Sequence, residues 1–335
     1  MSAVPEAPSR VSGKLKWRWA GEIQPNFWEP GLIDGVLEKK GMTIVYGPSG
    51  CGKTAVMVDM AGRIAAGLPW RGMRTDVGLV VYVAAENHWS TENRIWAWQQ
   101  QHRLADVQLP LAVVESPLCL GQEGAASGLV ALVSEAQEAA SAPVRLVILD
   151  TLARTMSGDE NTAKDMGLYV QQLDAIKGVL DTHVLVVHHT GKDESRGARG
   201  SSALRAATDH EIELSKEQGN PVGALRLSKI REGGLEGKRF GYRLTPRVVG
   251  VNKCGRAVTT VVVEETEAPE VSAAKAGQVD AVAIRTYLDT VSGRVTEKEM
   301  KAALVLRDNE TTNRGAWKRA RDKGIYEVDV YGYVS

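Results

Sequence analysis

Cysteine is scarce: Cys51, Cys119 and Cys254 are the only three in a chain of 335 residues. They are far apart and odd in number, so they supply neither a disulfide framework nor a zinc spacing, as suits a reducing compartment. Net charge is absent too, since 41 Lys and Arg balance 41 Asp and Glu. That excludes a globally basic nucleic-acid binder while leaving room for a local basic channel. No window holds the ~18 consecutive apolar residues of a membrane span, and the N-terminus lacks a signal-peptide core. The expectation is a soluble, cytoplasmic chain with no membrane partner. No internal repeat or low-complexity tract stands out. An ordinary 43% of hydrophobic residues allows a sizeable core, and the length suggests roughly two domains.

What is present centres on Gly47-Pro48-Ser49-Gly50-Cys51-Gly52-Lys53-Thr54, after the apolar run Met42–Tyr46 and before a helical pattern reaching Ala66. Strand, Gly-rich loop and helix form the context in which G-x-x-x-x-G-K-[ST] binds nucleotide phosphates, unlike a chance Gly-rich turn. Glycines let backbone N–H groups close around phosphate, and the helix turns its positive end to the same anion. Lys53 is expected at the β/γ-phosphates, and Thr54 at Mg²⁺. The motif implies a nucleoside triphosphate site.

Three further apolar runs end in polar groups. Gly78–Ala85 reads as a strand buried on both faces and ends in Glu86, which faces the crevice where open α/β sheets bind ligands. There it suits a general base for water, although a helix-capping glutamate has the same local look. Leu146–Asp150 places a second carboxylate beside the metal, usually through a water. Val184–Val187 leads into His188, His189, Thr190, Gly191 and Lys192, where a histidine can hydrogen-bond the γ-phosphate and report its loss. Between these runs, residues 90–104, 127–140 and 162–180 read as helices, and Trp96 and Trp98 as packing groups.

Cations cluster in four places. Lys192, Arg196, Arg199 and Arg205 stand among Gly and Ser in the loop 191–205, which is either a phosphate-contacting segment or a solvated surface loop. Lys229 and Arg231 share one face of the strand 224–231, as exposed sheet cations or as a finger for a neighbour's nucleotide. Lys14 to Trp19 interleaves cations with aromatics in an N-terminal arm, residues 1–23, which either touches nucleic acid or packs on protein. After 24–263, residues 264–277 turn to Glu, Ala and Pro as a linker. Residues 278–335 then show three helical patterns, a capping box at Thr296 and Glu299, and a terminal ribbon. That order resembles a winged helix-turn-helix, with Arg314, Lys318 and Arg319 on the third helix. Such a unit binds DNA or docks a protein.

Taken together, Gly47–Thr54, Glu86, Leu146–Asp150, His188–Lys192 and Arg199–Leu204 resemble the RecA-like ATPases of the plasmid RepA helicase type, which are hexameric, DnaB-like helicases of plasmids and phages. The resemblance spans roughly residues 24–263, and its His-His-Thr-x-Lys followed by Arg-Gly-Ser-Ser is more specific than the phosphate loop. It implies an α/β core with a mostly parallel sheet, ATP and Mg²⁺ as cofactors, and a homo-hexamer on single-stranded DNA. It also implies Glu86 as catalytic base, Asp150 as metal-side carboxylate, His189 rather than His188 as sensor, and Lys229 and Arg231 as the intersubunit finger. Loop 191–205 would line the DNA channel. The unit at 278–335 departs from that minimal core and offers a site for DNA or replication proteins. It keeps two rivals open: a RecA- or KaiC-like recombination ATPase, and an initiator for which ATP is only an assembly switch.

Overall fold

Strands buried on both faces must be apolar throughout, and their alternating side chains then belong to two different cores. The computed structural model shows this partition; it describes residues 10–12, 15–23, 31–189, 202–217, 219–231, 235–269, 288, 295–296, 299–300, 321, 328 and 333–334. The chain divides into units Met1–Ala268 and Pro269–Ser335.

The first unit opens with an antiparallel ribbon, β1 (Arg10–Ser12) and β2 (Leu15–Trp17), within the stretch expected to be a mobile arm. The elements that follow are β3 (Met42–Gly47), α1 (Lys53–Ala66), β4 (Leu79–Ala84), α2 (His88–Gln101), β5 (Leu111–Val114) and α3 (Ala125–Ala140). Next come β6 (Val144–Asp150), α4 (Leu152–Thr155), α5 (Ala163–Leu180), β7 (His183–His189), α6 (Ser202–Ala207) and β8 (His210–Lys216). The unit closes with β9 (Val222–Ile230), β10 (Arg239–Val251) and β11 (Ala257–Thr266). The expected α/β class with a mostly parallel sheet is what forms. A nine-stranded sheet runs β11-β10-β9-β8-β3-β7-β6-β4-β5. The strands from β8 to β5 in that order are parallel, and β9, β10 and β11 extend the sheet antiparallel.

One core holds Val45, Tyr82, Ile148 and Val187 under α1 and Trp98 of α2; the other holds Ile44, Val83, Leu149 and Val186 under α3 and α5. α2 starts earlier than its periodicity suggested because Asn87 caps it, accepting from Ser90 N at 3.0 Å. Thr162 caps α5 in the same way, accepting from Asp165 N at 3.2 Å. Trp98 is buried, whereas Trp96 is 46% exposed and packs in neither core. β11 extends to Thr266, into the stretch read as a linker, because Gly241–Arg243 of β10 pair with Glu264–Thr266.

Helices α1 and α2 meet at a glycine. The Trp98 ring lies against Gly62, where an added Cβ would sit 2.7 Å from the ring. Trp98 Nε1 also donates to Asp59 Oδ1 at 3.0 Å. Gly62→Ala should therefore destabilise the fold by about 1–3 kcal/mol through overpacking. That outweighs the ~1 kcal/mol that Ala gains over Gly inside a helix. A lowered urea midpoint at unchanged m-value is the expected reading; a raised midpoint would show that the helices part freely.

In the second unit, β12 (Val295–Thr296) pairs antiparallel with β13 (Tyr333–Val334). The expected capping box forms: Thr296 N donates to Glu299 Oε2 at 2.9 Å, and Glu299 N to Thr296 Oγ1 at 3.3 Å. The winged-helix reading of 278–335, with Arg314, Lys318 and Arg319, falls on residues outside those described.

Candidate active site

Strand order decides which side chains meet. Because β7 lies between β3 and β6, with β4 beyond, their C-terminal ends form a row of Gly47, His189, Asp150 and the Ala84–Glu86 turn. Register matches Gly47 to His189, and Ala84 to Asp150. Adjacent strands are about 4.8 Å apart, so the four groups converge on one crevice.

The phosphate loop is shaped by its glycines. Gly50 and Gly52 have φ of +75° and +98°, the left-handed region that side chains disfavour. At Gly47 a Cβ would lie 2.3 Å from the Leu214 carbonyl oxygen of β8. The loop's far side is held by β10, whose Tyr242 hydroxyl donates to the Cys51 carbonyl at 2.5 Å. Pro48, Ser49 and Gly50 form the outer curve, and Gly52 precedes the first turn of α1, which begins at Lys53 and Thr54.

Lys53 is buried, and its ammonium donates to Gly47 O and Pro48 O, both at 2.9 Å, and to His189 Nδ1 at 3.1 Å. Those are all three donors a lysine has. Burial lowers its pKa, opposed by Cys51, Asp150 and Glu86. Because lysine only donates, Nδ1 of His189 is the acceptor and the ring proton sits on Nε2. Nε2 points to Glu86 Oε1 at 3.4 Å, and the same oxygen accepts from Thr151 Oγ1 at 3.1 Å. Lys53, His189, Glu86 and Thr151 thus form one hydrogen-bonded chain. His188, one residue before, is buried on the other face of the strand.

Asp150 is buried beside this chain. Burial raises its pKa, while the Tyr82 hydroxyl, and after it Thr54, pull the other way. Tyr82 donates to Oδ2 at 2.6 Å, and Oδ1 is buried without a hydrogen-bond partner. An orphaned carboxylate oxygen with the Thr54 hydroxyl near it is a hard-oxygen pair that fits Mg²⁺. That ion takes few protein ligands and keeps waters and phosphate oxygens. No cluster of three or more His, Cys, Asp or Glu that would hold a metal alone occurs among the described residues.

The other expected site residues lie elsewhere. Arg231 pairs with Asp209 Oδ1 at 2.7 Å, and Asp209 Oδ2 accepts from Met42 N at 2.9 Å. Met42 opens β3, and the phosphate loop follows its other end. Five steps at about 3.3 Å put the two ends roughly 17 Å apart. Arg231 therefore stands at the opposite end of the sheet from its own phosphate loop. Lys229 donates to Thr208 O at 2.6 Å and Arg205 O at 3.0 Å, tying down the end of α6. Arg205 forks onto Glu211, with Nε to Oε1 at 3.1 Å and Nη2 to Oε2 at 2.9 Å. Glu211 is buried and raises the arginine's pKa, so this guanidinium is committed to the fold where a DNA contact was expected. Lys192, Arg196 and Arg199 lie outside the described residues.

Sequence reasoning passed over Tyr82 and Tyr242. Tyr82 hides within an apolar run, and Tyr242 is 191 positions from its partner. The one local signal is alternation, which puts Tyr82 and Ala84 on the same face of β4.

No helix among the described residues is long and apolar enough to cross a membrane. Among solved structures, the ATPase domain of a helicase aligns with a TM-score of 0.48 and 10% identity, over 66% of this chain and 84% of that one. The RadB recombinase aligns with a TM-score of 0.43 and 17% identity, over 61% and 87%. No curated protein matches the chain in sequence. A family model described as AAA domain matches residues 9–195, more than half of the chain, and takes in the phosphate loop, Glu86, Asp150 and His189 together. With that row of groups at the strand ends and that match, the chain belongs to the AAA domain family and is an ATPase.

Proposed function

We propose that the chain is a ring-forming motor, a hexamer in the manner of DnaB-like plasmid and phage helicases, which couples ATP hydrolysis to movement along single-stranded DNA. The observation that carries this reading is the position of Arg231. A cation 60% exposed at the sheet end opposite its own phosphate loop serves hydrolysis only at another protomer's site. Assembly then completes the site, as an arginine finger supplied in trans requires.

In this reading water attacks the γ-phosphorus in line, its proton passes to Glu86, and the bond to the β-phosphate oxygen breaks to leave ADP. Bound with the nucleotide through Asp150 and Thr54, Mg²⁺ would neutralise charge on the β- and γ-phosphates. Lys53 reaches a phosphate only by surrendering one of its three hydrogen bonds, and the one to His189 is the longest. Nucleotide arrival thereby frees His189 to face the γ-phosphate and loosens its hold on Glu86. Loss of the phosphate reverses the exchange, and β7 carries that change to the loop that follows it. The DNA contacts assigned to Lys192, Arg196 and Arg199 in that loop, and to Arg314, Lys318 and Arg319 in the second unit, belong to this proposal.

ATPase rate with and without single-stranded DNA, together with strand displacement on a fork, tests it. Stimulation and ATP-dependent displacement are expected. Three loop cations on phosphates predict that log affinity falls with log salt at a slope of about −2 per protomer. A filament-forming recombination ATPase would coat the strand without displacing its complement. An initiator would bind duplex and hydrolyse slowly whether or not single strands are present.

A further inference from the structure

We propose that Tyr82 is a positioning residue that decides which oxygen of Asp150 is offered to the metal–nucleotide complex. The inference rests on the reading of Asp150 as the metal-side carboxylate. β4 and β6 are neighbours, with Tyr82 opposite Ile148 and Ala84 opposite Asp150. Tyr82 therefore sits one step of the alternating face below the carboxylate, and its hydroxyl reaches up to Oδ2 at 2.6 Å. The ring is fully buried in the core beneath α1, among Val80, Ala84 and Ile148, so it has no solvent to turn toward.

The two carboxylate oxygens are thereby made different. Oδ2 is engaged by a short O–H···O bond, and Oδ1 is buried with no hydrogen-bond partner. A carboxylate free to rotate would present either oxygen and would lose orientational order with each exchange. The phenol removes that freedom and keeps the unengaged oxygen on the Thr54 side, where a hydrated cation needs an acceptor. A phenol suits the task because it is a neutral donor on a rigid ring, with no second charge to compete for the metal. Groups that orient a ligand in this way are commonly worth 10–100-fold in metal affinity.

The test uses the full-length chain and a fluorescent ATP analogue, titrated without metal and then across Mg²⁺ concentrations. Tyr82→Phe should leave metal-free nucleotide binding unchanged and raise the half-saturating Mg²⁺ concentration about tenfold or more. Tyr82→4-aminophenylalanine keeps a donor at the ring's far end and should restore the wild-type Mg²⁺ response. Unchanged Mg²⁺ dependence in the phenylalanine variant overturns the proposal. So does failure of the amino variant to restore it, because ring packing alone would then explain the loss. Asp150→Asn is run beside them. If it too leaves the Mg²⁺ response untouched, the assignment of Asp150 has failed; if it abolishes the response while both Tyr82 variants match wild type, only the role of Tyr82 has.

Discussion

Arg231→Ala is expected to cut the turnover number for ATP by about 10³-fold or more, the range lost when an arginine finger is withdrawn. Nucleotide affinity should hold, because the side chain stands at the end of the sheet away from its own phosphate loop. Stability should hold too, since its partner contact is a partly exposed ion pair of the kind worth at most about 1 kcal/mol. A loss of rate without loss of binding or fold marks an interaction made only in the transition state. Mixing gives the sharper reading. Protomers with Arg231→Ala and protomers with Lys53→Ala each lack what the other carries, so mixed assemblies should recover part of the activity that neither shows alone. Full turnover by Arg231→Ala, or by a strictly monomeric preparation, would remove the intersubunit finger from the mechanism.

The second large effect is expected at Glu86. Glu86→Gln keeps an oxygen to accept from Thr151 and His189 but cannot take a proton from water. The turnover number should fall by about 10²–10⁴-fold, the usual contribution of a positioned base. Nucleotide binding should remain, because the phosphates are held by the loop Gly47–Thr54 rather than by this side chain. The variant should accumulate nucleotide-bound assemblies, which a single-turnover experiment reads as binding without product. If hydrolysis stays near wild type, Glu86 is only a partner for Thr151 and His189, and the base must be sought elsewhere.

These two predictions differ in how far the sequence supported them. Glu86 was legible because a strand buried on both faces admits no polar group until it leaves the sheet. The first carboxylate after Leu79–Ala84 therefore marks the crevice, and the same reasoning located Asp150 and His189. Arg231 was legible as an exposed cation on β9, but its distance from its own nucleotide site was not. That followed only from β9 running antiparallel to β8 and bringing Arg231 to Asp209 beside Met42. Arg205 shows the opposite outcome. In a loop of Gly, Ser and cations it read as a DNA contact, yet a buried carboxylate two strand positions into β8 takes its fork. No local pattern flags Glu211, because nothing about its neighbours says that it will be covered.

Composition and local pattern by themselves determined the α/β class, the phosphate loop and the polar groups that close each core strand. All of these depend on contacts within about a dozen residues and on the two-residue repeat of a strand. Strand order and register were settled only by the folded sheet, and with them the chain from Lys53 through His189 to Glu86, the Tyr82 hydroxyl on Asp150 and the remoteness of Arg231. The reason is physical: a hydrogen bond between neighbouring strands depends on which strands are neighbours, and apolar runs of similar length and composition leave that choice to the packing of the whole core.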